Sequence, residues 1–246
     1  MKLKLYIPIL ALCLCIMYGC YLGPWTEIYW FYESFIVAYV NVDYSEDVEV
    51  SRIPLQSRCV SVIIPTEIHA HYVFDGFSER WKQDNPDWEL WHERHRELSR
   101  KNGDVGFDRE VDVTNYVHNP KVWNTDNLIS TMYVVSNADY DDVHLAGVSM
   151  NDIVEITYST HKPFIENGYK HTDANRSVND YSGDWVTKRL SELQPEDSIF
   201  MEAGYFSLRF VEQPTAAQSH TFTVTIEFEH GEPYSFSFDM DFPSAE

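Results

Sequence analysis

The sequence predicts a mainly β fold, an antiparallel β-sandwich-like (Ig-like) domain with a helical insertion near residues 77–102. Three observations predict it. The C-terminal stretch SHTFTVTIEFEHGEPYSFSFDMDFP alternates apolar and polar residues on both sides of a Gly/Pro turn. Short runs rich in β-branched and aromatic residues recur along the chain, separated by Asp/Asn/Gly/Pro-rich links. No alternation of strand-like and helix-like segments marks a parallel α/β sheet.

The chain opens MKLKLYIPILALCLCIMYGCYLG. Lys2 and Lys4 precede an uncharged run from Leu5 to Gly19, which is the layout of an export signal. Gly19 is the small residue directly before Cys20, so IMYGC resembles a bacterial lipobox, with Met17 and Tyr18 as departures from its usual pattern. The expectation is a lipoprotein-type signal peptide over 1–19, a lipidated N-terminus at Cys20 with a short link over 20–34, and one β-rich domain over 35–246. An uncleaved anchor is the alternative, because Leu5–Gly23 approaches the roughly 20 residues of a spanning helix. Cysteine usage favours lipidation: with Cys13 and Cys15 removed and Cys20 acylated, Cys59 is the last thiol. Cleavage elsewhere would leave a Cys20–Cys59 bridge open in an oxidising compartment.

Strands are expected in FIVAYVNV (35–42), VSVIIP (60–65) and HAHYVF (69–74). NPDWELWHERHRELSRKNG reads as a helix. Asn85 caps it, Pro86 opens it and Asn102-Gly103 ends it. Trp88, Trp91, His95 and Leu98 fall on one stripe, with Glu93–Arg96 and Glu97–Lys101 as pairs on the wet side. STMYVVS (130–136), DIVEITYS (152–159) and YFSLRFV (205–211) are further strands. A second helix is expected over Asp184–Leu193, carrying Trp185, Arg189 and Leu193, with a polar loop over 168–183 before it. The terminal hairpin sets Phe222, Val224, Ile226 and Phe228 against Tyr234, Phe236, Phe238 and Met240, with an acidic wet face.

The pattern Phe206-x-Leu208, Pro214, His220-x-Phe222-x-Val224 and Gly231 resembles the end of certain uncharacterised bacterial envelope lipoproteins, of the kind abundant in Bacteroidota. The resemblance covers the last third of the chain. It implies a lipid-anchored, all-β envelope protein and transfers no activity or functional residue.

The formal net charge is −21, a field that repels phosphate backbones and argues against nucleic acid as a partner. It also argues for attachment to the membrane through a lipid rather than a basic patch. Hydrophobic residues at 44% supply a core, so the acid excess reads as solvated surface.

His69 and His71 stand at i and i+2 of a strand, so their imidazoles share a face; with a third ligand they could hold zinc. A solvated sheet face is the plainer reading. His92 and His95 form a second pair, but HERH has i,i+3 spacing and lacks the HExxH zinc-peptidase arrangement. Trp81, Trp88 and Trp91 are a candidate ligand platform for sugar; packing of the helix on a sheet is the plainer reading. Asn137, Asp139, Asp141 and Asp142 resemble a calcium loop without its glycine and distal Glu, and read as a turn. Ser149 lacks the glycines of a nucleophile elbow.

The sequence therefore predicts an exported, outer-membrane lipoprotein of the cell envelope with a non-catalytic role in binding or assembly and a glycan or protein partner. No cofactor is required by it beyond the candidate zinc. Two alternatives stand beside it: a metal-assisted or carboxylate hydrolase acting on glycan, and a structural component that pairs through a sheet edge.

Overall fold

The computed structural model describes residues 29–36, 38–44, 47–53, 58–74, 87–112, 123–125, 127–173, 183–197 and 205–243. Cys20, Trp81 and the signal-like segment lie outside these residues, as do Asn85 and Pro86. Strand outweighs helix, 42% against 15%, so the protein is mainly β with antiparallel sheets. Among the described residues no helix is long and apolar enough to cross a membrane.

The chain divides into two compact units, residues 1–31 with 110–119, and residues 32–109 with 120–246. In the first, β1 (Tyr29–Tyr32) and β6 (Arg109–Asp112) form a two-stranded sheet. The second contains three sheets.

The largest sheet is five-stranded. It comprises β3 (Glu49–Arg52), β4 (Cys59–Ile63), β9 (Val154–Thr160), β10 (Asp184–Arg189) and β11 (Tyr205–Phe210), in the order β10-β9-β11-β4-β3. Every neighbouring pair in it is antiparallel. A three-stranded sheet joins β8 (Ile129–Ser136), β12 (Ser219–Phe228) and β13 (Tyr234–Asp241). Its β12–β13 hairpin sets Phe222 opposite Phe238 and Val224 opposite Phe236. Gly231 takes the turn with φ 93°, a conformation a side chain would strain. The third sheet places β2 (Ala38–Tyr44) between β5 (Thr66–Phe74), antiparallel, and β7 (Trp123–Thr125), parallel.

Inner faces of the five- and three-stranded sheets share one apolar core, to which Val62, Ile156, Leu208, Val134, Val224 and Met240 all belong. Phe210 of β11 and Phe222 of β12 meet across it with ring centroids 4.3 Å apart. Such burial is the main stabilising term, at about 25 cal/mol per Å² of apolar surface.

Helix α1 (Trp88–Lys101) packs on β5 and β2. It starts two residues later than the Pro86 start read from the sequence; Asp87 holds the N-cap position without a side-chain cap bond. Asn102 caps its end and Gly103 follows with φ 69°, as the Asn-Gly stop predicts. Its charges pair differently from the sequence expectation: Glu97 takes Arg94 at 2.8 Å, Lys101 reaches Glu229 at 2.5 Å and Arg96 lies 3.9 Å from Glu33. His95 and Leu98 are buried as the stripe predicts, and His95 Nε2 lies 2.9 Å from the Ile36 carbonyl oxygen.

The strand expected from Phe35 begins only at Ala38. The backbone N–H groups of Phe35 and Ile36 donate to the carboxylate of Asp104, at 2.9 and 2.7 Å, rather than to a ladder. Asp104 is fully buried and also accepts from the Tyr169 hydroxyl at 3.0 Å. The second helix expected from the sequence is overturned. Asp184–Arg189 is strand β10, paired along its length with β9, and only Leu190–Glu192 forms a 3-10 turn. A short helix, α2 (Lys162–Glu166), lies elsewhere.

Candidate functional site

Strand β10 forms one edge of the five-stranded sheet and carries an exposed tryptophan on its outer face. In β9, Val154, Ile156 and Tyr158 enter the core, which turns Glu155, Thr157 and Ser159 outward. Register carries this alternation across the sheet. Trp185 pairs with Ser159, Tyr205 stands beside it on the other flank of β9, and Tyr205 pairs with Ile63. One step along, Thr187, Thr157, Ser207, Ser61 and Ser51 form a continuous row of hydroxyls over all five strands. A further step brings Arg189, Glu155, Arg209 and Cys59 into line.

Trp185 is 61% exposed and Tyr205 38%, unusual for aromatic side chains set on a sheet. Their rings meet edge to face, 5.8 Å between centroids and 87° between planes. Gly183 enters beside them because there is no room for more: a Cβ there would lie 2.3 Å from Ser159 Oγ and 3.1 Å from the Thr160 nitrogen. In the hydroxyl row, Thr157 and Thr187 hydrogen-bond at 2.8 Å.

In the charged row two guanidinium groups share one carboxylate. Arg209 Nε donates to Glu155 at 2.9 Å, and Arg189 Nε lies 3.5 Å from the same carboxylate. Arg189 also donates to the Asp152 carbonyl at 3.0 Å. Cys59 closes the row as a buried thiol that forms no disulfide. Burial pushes it up from its ordinary range, against a hydrogen bond with Ser207 and the charge of Arg209. The face thus presents two aromatic rings, a band of hydroxyls and two guanidinium groups.

The residues singled out from the sequence divide as follows. His69 and His71 do lie on a strand, β5, and His69 stands opposite Asn41; their side chains are outside the described residues. Trp88 and Trp91 open α1, and their side chains too are outside them. Among the described residues no three His, Cys, Asp or Glu side chains gather to hold a metal.

Asn137, Asp139 and Asp141 serve a loop as the turn reading predicts. Their oxygens accept from the backbone N–H groups of Thr221, Ala146, Val143 and His144. His144, nearly buried, is held between Asp141 at 2.8 Å and Asp152 at 3.0 Å. Ser149 forms an isolated bridge with Val135.

A depression of about 320 Å³ is lined by Lys101, Leu128, Lys162, Glu166, Pro195 and Glu229, among others. Its charges are spent on one another. Lys101 pairs with Glu229, and Lys162 lies 3.6 Å from Asp197 and 3.9 Å from Glu166.

The sequence reading misses Trp185 and Tyr205 as a pair, although one signal could have found them. WVTKR (185–189) and YFSLR (205–209) share the pattern aromatic-x-hydroxyl-x-Arg, and both strands run antiparallel to β9, which they flank. Compared with protein families, curated proteins and solved structures, the chain matches none.

Proposed function

We propose that this chain is an exported cell-envelope lipoprotein, anchored through Cys20, whose role is non-catalytic binding through the outer face of its five-stranded sheet. The observation that carries the binding reading is the exposed Trp185–Tyr205 pair beside an unbroken hydroxyl row. An exposed indole keeps apolar surface in water at a cost that a bound ligand removes. The IMYGC motif and the terminal-hairpin resemblance to Bacteroidota-type envelope lipoproteins support the anchor and the outer-membrane address. Two antiparallel sheets closing on one core support the sandwich-like, Ig-like description of the domain.

Hydroxyl-radical footprinting of the protein, with and without an envelope fraction of its source cell, tests the binding face. Protection of Trp185 and Tyr205 is the expected result. Equal oxidation of both residues in the two samples would reject it.

A further inference from the structure

We infer that the ligand of this outer face is a neutral polysaccharide, an inference that rests on the binding reading above. A sugar ring is amphipathic: its C–H face is apolar and its rim carries hydroxyls. The sheet presents the matching sequence of chemistries in parallel rows. Trp185 and Tyr205 offer ring surface for the C–H face. Beside them runs the hydroxyl row of Thr187, Thr157, Ser207, Ser61 and Ser51, in which Thr157 and Thr187 bond each other and keep one donor between them, and every oxygen can still accept from a polyol.

The charge pattern selects against a polyanion. Glu155 is shared by Arg189 and Arg209, which leaves the row itself with an excess of positive charge, but the whole chain carries −21, and that field opposes a polyanion. The row crosses five strands, about 19 Å at the usual strand spacing, which suits an extended chain over a single ring.

The test is native affinity electrophoresis of the full chain in non-ionic detergent. Gels contain a soluble β-glucan, a xylan, a mannan or the acidic polygalacturonate. The expected result is retardation in at least one neutral gel that persists at high salt. Affinity should weaken at least about tenfold in Trp185→Ala and in Tyr205→Ala, each with an unchanged circular dichroism spectrum.

Retardation by polygalacturonate alone, or retardation that survives both substitutions, overturns the inference. If no gel retards the protein while the envelope fraction still protects Trp185, the glycan inference falls and the binding face stands. If neither is seen, both fall. A dimer in light scattering that Trp185→Ala dissolves would assign the face to self-association and overturn the glycan.

Discussion

Trp185 and Tyr205 come from strands that do not touch, yet their rings meet at 5.8 Å across the intervening β9. Strands two apart lie about 9.6 Å from each other, so both side chains lean inward over Ser159. Gly183, next to Trp185, has no room for a side chain, since a Cβ there would meet Ser159 Oγ at 2.3 Å. The pair is held by the sheet and remains open to water.

Removing it should therefore cost little. Trp185→Ala and Tyr205→Ala are each expected to lower unfolding free energy by no more than about 1 kcal/mol, the scale of an exposed aromatic pair. Urea denaturation followed by circular dichroism measures this.

Phe210 is the contrasting case. It is fully buried and joins the two sheets through Phe222 at 4.3 Å. Phe210→Ala should destabilise by about 3–5 kcal/mol, through lost transfer energy and the cavity left behind. The same denaturation series would register it as an early midpoint.

The His144 clamp gives a pH signature. Burial of the ring opposes its charged form, but hydrogen bonds and charge from Asp141 and Asp152 outweigh that and raise it above its ordinary 6.5. Burial likewise opposes the Asp141 carboxylate, but hydrogen bonds from His144 and the Val143 N–H hold it below its ordinary 3.8. A raised histidine stabilises fully below its unfolded value and loses that contribution as pH rises through its folded one. A lowered aspartate stabilises above its unfolded value and loses that contribution as pH falls. The clamp is thus strongest between about pH 4 and 6.5. His144→Gln should remove the part of the stability loss seen when pH rises past 6.5. An imidazole titrating at or below 6.5 by NMR would count against the clamp.

Thiol counting connects Cys59 to the anchor. Cys59 is buried and its thiol is pushed up, so the folded protein should show no fast reaction with a disulfide reagent at pH 8. In guanidinium the mature protein should release one thiol, with Cys20 blocked by its lipid. Two thiols would mean that Cys20 is unmodified.

The terminal hairpin was legible because each of its strands has one buried and one wet face, so hydrophobicity itself has period two. Strand β9 (Val154–Thr160), expected over 152–159, was legible as a run rich in β-branched and aromatic residues. DWVTKRL was misread for a specific reason. Trp185, Arg189 and Leu193 also satisfy helical spacing, and β10 inverts the usual pattern. Its tryptophan points to water, while Lys188 turns toward the buried Asp197, which it meets at 2.5 Å. Binary patterning cannot place a strand whose outer face is aromatic and whose inner face carries a paired charge. The site was hidden with it. Its five strands come from four stretches distant in sequence, and only their register aligns the hydroxyls. Asp104 is equally invisible in sequence, because its partners lie 65 to 69 residues away.

The most direct test is fluorine NMR of protein labelled with 5-fluorotryptophan, with the Trp185 signal assigned by its loss in Trp185→Phe. Titration with a polysaccharide that retards the protein should move the Trp185 signal saturably. Binding that leaves the Trp185 signal in place, while a signal assigned to Trp81, Trp88 or Trp91 moves, would contradict the outer sheet face as the binding surface.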